Sequence, residues 1–163
     1  MTTKDNFSEQ EWRLLLLAST HATTDIITAD MSTVGAMREM KAMMEAMMHQ
    51  DPSSDAQELV NSVTTDYQAR TKKKQGLEPP KVEEGQEGED GREPARQGLR
   101  QAAALLNEKC PPEEAAGFKQ WLMTIAQEVA EADKEGSHFG IGGVRVTDKE
   151  KAALAEIESF LGL

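Results

Sequence analysis

The carboxylates carry most of the chemistry this chain could offer, and their spacing repeats. Setting Asp30 against Asp133 aligns Ala29 with Ala132, Ile26 with Val129 and Asp25 with Glu128. Beyond the intervening loops, Glu39 matches Glu150, Ala42 matches Ala153, Met43 matches Leu154 and Glu45 matches Glu156. Agreement on both flanks of a loop points to an internal duplication. Each unit ends one helix in carboxylates and opens the next with another, so a compact turn brings Asp30 toward Glu39, and Asp133 toward Asp148 and Glu150. Converging carboxylates repel unless a hard cation or a basic side chain lies between them, and oxygen-only ligands suit Ca²⁺ or Mg²⁺. A purely local use is also open: Glu39 and Glu150 suit helix N-termini, and Asp30 and Asp133 can cap loop backbone.

Other chemistry is excluded by spacing. An EF-hand beginning at Asp133 would need Gly at its sixth position and Glu at its twelfth, where this chain has His138 and Val144. Gly140-Ile141-Gly142-Gly143 lacks the preceding strand of a dinucleotide fingerprint. Glu45 and His49 are four apart rather than in the Glu-x-x-His spacing of di-iron bundles. Cys110 sits beside two prolines, without an activating neighbour or a disulfide partner. The chain reads as non-enzymatic. Met37, Met40, Met44 and Met47 recur at i, i+3, i+7 and i+10 on one helix face, which suits either a plastic core stripe or a groove for a protein partner.

The elements that must position these residues are helical throughout. Ser8 and Glu11 form a capping box, with Phe7 and Trp12 as a hydrophobic staple, and the helix they open extends to about Ala29. The methionine helix follows. A third runs from Ser53 or Ser54 to about Arg70, with Gln57 completing a capping pattern. From Lys72 to about Arg92 the chain is rich in Pro, Gly and Glu and reads as a disordered, acidic linker. Helices are expected again from Pro94 to Lys109, from Pro111 to Asp133 and from Thr147 onward, the last opened by the box Thr147-Asp148-Lys149-Glu150. The fold expected is an all-α, compact bundle of about six helices: an N-terminal half over 7–71, a linker over 72–92 and a C-terminal half over 93–163, the halves together making one domain.

A net charge of -11 and few, scattered aromatics disfavour nucleic acid and anionic lipid, and favour cations and basic partners. The longest aliphatic run, Leu14 to Leu17, is too short to insert in a membrane, and the first residues carry no apolar leader, so a cytoplasmic location is expected.

The two Ala-Asp, loop, acidic-helix units, the second reading Glu131-Ala132-Asp133 and then Thr147-Asp148-Lys149-Glu150-Lys151-Ala152-Ala153-Leu154, resemble the tellurite-resistance TerB-like family. The resemblance covers about residues 7–50 and 111–163. It implies an all-helical stress-response module whose acids bind divalent cations, and the matching positions are Asp30, Glu39, Asp133 and Glu150, with Asp148 and Asp25 beside them. The first unit departs from the family in having Met31 after Asp30, where glycine is common, and the second loop is lengthened by its glycines. The alternative is a helical protein-interaction module using the methionine face.

Overall fold

The computed structural model describes residues 1–29, 35–49, 52–73, 77, 89–132 and 146–163, with the backbone alone described at 35–39, 49, 89 and 90. After a 3-10 turn at Lys4–Asn6 come six α-helices: α1 (Glu9–Ala29), α2 (Gly35–His49), α3 (Gln57–Lys72), α4 (Glu89–Lys109), α5 (Pro112–Ala132) and α6 (Asp148–Leu161). No strand occurs among the described residues, so the all-α expectation holds.

Local signals set several of the helix ends. Ser8 N donates to Glu11 Oε2 at 2.7 Å, Glu11 N donates to Ser8 Oγ at 3.3 Å, and the Phe7 and Trp12 rings lie 5.7 Å apart, so the box and the staple both form. α6 opens on Thr147, whose Oγ1 accepts from Glu150 N, and closes on Gly162 at φ 70°, a left-handed position that glycine occupies without strain. The pattern expected at Ser54 and Gln57 is not used: residues 54–56 form a turn, and the N-cap of α3 is Ala56, which has no side chain to cap with.

α1 is the hub. It packs chiefly on α4 and α5, and also meets α2, α3 and α6. Residues 18–26 are buried without interruption, which takes the helix through the centre of the bundle rather than along its surface. Its apolar positions, Trp12, Leu15, Leu16, Ala18, Ala22 and Ile26, join one core with Leu59 and Val63 of α3, Leu99 and Leu106 of α4, Phe118, Leu122 and Ile125 of α5, and Ile157 of α6. Burying each such leucine or isoleucine contributes roughly 1.5–3 kcal/mol, and this is the main force holding the helices together. The second helix of each related unit also packs on the first helix of the other, α2 against α5 and α6 against α1.

α4 begins at Glu89, five residues before the expected Pro94, which lies inside the helix. The linker's final residues are therefore helical, and Gly91 and Arg92 are buried. Pro94 removes one backbone hydrogen bond of the helix, and the turn before it is held to α1 by the Arg92 contact described below. Residues 78–88 of the expected linker lie outside the described residues.

Candidate functional site

Two of the five acids expected to converge have described side chains. The Glu150 carboxylate is 2% exposed and accepts the Thr147 backbone N–H at 2.8 Å, so its buried oxygen serves as the helix cap. Asp148 is fully exposed, with Lys151 Nζ 3.8 Å from its Oδ1. Glu39 lies in α2 with its side chain undescribed, and Asp30 and Asp133 lie outside the described residues. Among the described residues no group of three or more His, Cys, Asp or Glu is arranged to hold a metal ion. On the methionine face, Met47 and neighbouring Met43 are buried, Met40 and Met44 pack against the core, and the Met37 side chain is undescribed. Ser19 Oγ of α1 donates to Met47 Sδ at 3.4 Å. Met48 faces solvent, at 62% exposure.

Where carboxylates do converge in the interior, arginines lie between them. Asp25, at 0% exposure, accepts from Arg92 Nε at 2.9 Å and Arg92 Nη2 at 3.1 Å, and from Arg96 Nε at 3.3 Å. Glu156 of α6 accepts from Arg92 Nη2 at 2.9 Å and Arg96 Nη2 at 2.6 Å. Both guanidiniums are buried, at 7% and 6% exposure, one helical turn apart on α4. Burial pushes the Asp25 carboxyl above its ordinary value, and the hydrogen bonds and charges of the arginines pull against that. The cluster ties α1, α4 and α6 together and is the basic-side-chain solution to carboxylate repulsion. Asp25 and Glu156 stand at positions the sequence alignment pairs with Glu128 and Glu45, which are exposed, so the paired positions are used differently.

One turn before Asp25, His21 lies against α4 where Gly98 has no side chain: a Cβ there would stand 2.5 Å from His21 Cδ2 and 2.7 Å from Cε1. Its buried Nδ1 has no hydrogen-bond partner among the described residues. Burial lowers the His21 pKa below its ordinary 6.5, so the folded state holds the ring neutral where the unfolded chain would bind a proton. The contribution is complete above about pH 6.5 and is lost as the pH falls toward the folded-state value. Denaturation midpoints followed from pH 7.5 to 5 should fall in the parent chain and fall less in His21→Gln; equal slopes would remove His21 as the cause.

A concave surface lies between the N-terminal segment and α3. A groove of about 670 Å³ is lined by Met1, Lys4 and Trp12 on one side and, on the other, by Ser54 of the turn before α3 and by successive turns of α3 from Gln57 through Asn61 and Thr65 to Ala69. Its charged end is Asp66, whose Oδ2 receives Lys4 Nζ at 2.9 Å, Trp12 Nε1 at 2.7 Å and Arg70 Nε at 3.3 Å. Desolvation works to raise the Asp66 pKa, but hydrogen bonds from Lys4, Trp12 and Arg70 outweigh it and bring the value down to about 2. Arg70 also holds Glu9 at 2.6 Å, and Tyr67 OH meets Thr20 Oγ1 at 3.2 Å, so polar contacts add to the apolar packing of Leu59, Val60 and Val63 that joins α3 to the core.

The sequence held two signals for these sites that patterning by apolar residues passes over. Asp25 is the only charged residue between Arg13 and Asp30, which marks α1 as central and Asp25 as in need of a buried partner. Arg92 and Arg96 are spaced i, i+4, but the first falls in a stretch whose composition reads as linker. The groove had no such signal, because its lining is assembled from residues far apart in the chain. A scan against protein-family models finds no match for this chain, and comparisons with curated proteins and with solved structures find none either.

Proposed function

We propose that the chain works by binding rather than catalysis, as a helical interaction module that docks a protein partner in the groove between α3 and the N-terminal segment. The observation that carries this reading is the groove itself: about 670 Å³ of concave surface, lined by Gln57, Asn61, Ser62 and Thr65, with the fixed charge of Asp66 at one end. Neutral hydrogen-bonding side chains around a pre-oriented charge suit recognition of a polar polypeptide surface. A photo-crosslinking residue placed at exposed Asn61 in cells should capture a discrete partner, whereas one at exposed Gln101 of α4, outside the groove, should not. Equal capture from both positions would overturn the groove as the docking surface.

A second reading has one observation in its favour. Asp148 presents an open carboxylate at the head of α6, two residues before Glu150. This is the placement that the TerB-like resemblance assigns to a divalent-cation site, and a metal-stress role for the chain rests on that resemblance. With Ca²⁺ or Mg²⁺ present at about one hundred times its Kd, stabilisation of about 2.7 kcal/mol is expected, a rise of several degrees in Tm. Asp133→Asn and Asp148→Asn should each diminish it. Identical melting curves with and without millimolar divalent ions would sink this reading.

A further inference from the structure

We propose that the Asp66 end of the groove is a receptor for a lysine or arginine side chain of a basic partner segment, and that Lys4 is the resident occupant such a side chain displaces. The inference rests on the groove being the docking surface and names the chemistry of what docks there.

Three observations support it. Lys4 Nζ stands 2.9 Å from Asp66 Oδ2 and 5.8 Å from the centroid of the Trp12 ring, so the chain already holds a cation between a carboxylate and an aromatic face. That hold is weak: the Lys4 side chain is 48% exposed, and a solvent-exposed ion pair of this kind contributes little, so a competing cation can displace it. The receptor itself is pre-oriented, because Trp12 Nε1 and Arg70 Nε fix Asp66 independently of Lys4. All three donors converge on Oδ2, and Oδ1 takes none of them. A guanidinium, with its planar fork of donors, can take the place of the Lys4 ammonium at Oδ2 and engage Oδ1 as well. Charge selects the same occupant. Besides Lys4 and the amino group of Met1, the charged groups of the lining are the carboxylates of Asp66 and Glu58, and the whole chain carries -11. At about 1.5 Å per residue, the eight positions from Glu58 to Asp66 set two carboxylates roughly 12 Å apart along the groove, with neutral polar side chains between them. The matching segment is polar, with a basic residue toward each end.

The test is NMR titration of the full chain with a capped Gly/Ser peptide carrying two arginines, beside the same peptide with citrulline or with glutamate in their place. Trp12 supplies a site-specific probe through its indole N–H, and the Trp121 indole, buried in α5, serves as the internal control. The arginine peptide should shift the Trp12 indole saturably together with Asn61 and Thr65, leaving Trp121 unmoved. Lys4→Gln should tighten binding about two- to fivefold by removing the competitor. Asp66→Asn should weaken it about tenfold or more. Because Asp66 also fastens α3, exposed Glu58→Gln is the companion variant, expected to weaken binding a few-fold with Tm unchanged.

Unchanged affinity in Lys4→Gln overturns the displacement. Equal shifts from the citrulline or glutamate peptide overturn the basic preference but leave the groove as a docking surface. Shifts spread evenly over the acidic surface and abolished by roughly 0.15 M salt would mean unspecific attraction and also overturn the proposal. No response to any peptide overturns it too, and crosslinking at Asn61 then decides separately whether the groove binds a partner.

Discussion

Replacing Asp25 by alanine should lower the free energy of unfolding by roughly 3–5 kcal/mol, the range measured when one partner is removed from a buried ion pair. Asp25 has no exposure and stands within 3.3 Å of both Arg92 and Arg96, so its loss takes away the carboxylate that faces two buried guanidiniums across the α1–α4 seam. Glu156 remains, but it reaches the arginines from the solvent side, at 40% side-chain exposure, and cannot fill the space inside. Against a total stability of about 5–15 kcal/mol this loss is large. Asp25→Asn keeps the shape and one acceptor oxygen and should cost less. Urea unfolding followed by circular dichroism measures both. A loss below about 1 kcal/mol in Asp25→Ala would mean that apolar packing holds α1 on α4 without the cluster. The same measurement on Asp25→Leu with Arg92→Met and Arg96→Met separates net worth from pairing: replacing the whole group by apolar side chains should recover most of the loss.

Gly98→Ala should destabilise the fold although it improves helix propensity. In the middle of an exposed helix this change would gain about 0.5–1 kcal/mol. Here the new Cβ would lie 2.5 Å from His21 Cδ2, with the ring enclosed by α1 and α4, and overpacking of that kind costs about 1–3 kcal/mol. In a His21→Ala background the obstruction is gone and the sign should reverse, making Gly98→Ala neutral or stabilising. The coupling between the two sites, about 1 kcal/mol or more, is read from the four unfolding curves of a double-mutant cycle. Additive effects would show that the seam relaxes around the methyl group, and would remove close approach as the reason for glycine at this position.

The helices were legible to different degrees, for reasons that can be named. α1 and α6 announce their starts because Ser8 with Glu11 and Thr147 with Glu150 complete their hydrogen bonds within four residues of chain, whatever surrounds them. α5 was legible through Pro112, Glu113 and Glu114 in its first turn and its stripe from Phe118 to Val129. The start of α3 was misplaced because Ser53 and Ser54 only offer a cap, and the chain turns once more before entering the helix at Gln57. Gly117 of α5 leaves room for that turn: a Cβ there would run into Ser53 Oγ and come 2.8 Å from Ala56 Cβ. The start of α4 was misplaced for a different reason. Composition from Lys72 to Arg92 describes a solvated chain, and nothing local shows that Arg92 reaches a carboxylate on α1.

The acidic repeat shows the same division. Sequence by itself determined that the chain is helical, where its capped helices begin and that its net charge is strongly negative, because all of these follow from near neighbours and composition. It also singled out Glu150, whose carboxylate closes the Thr147 box. Tertiary structure alone decided that α1 runs through the centre, that the buried Asp25 faces arginines, and that Lys4, Trp12 and Asp66 meet at the end of a groove. Those contacts join positions far apart in the chain, and their free energy comes from burial and desolvation, which exist only once the helices are packed.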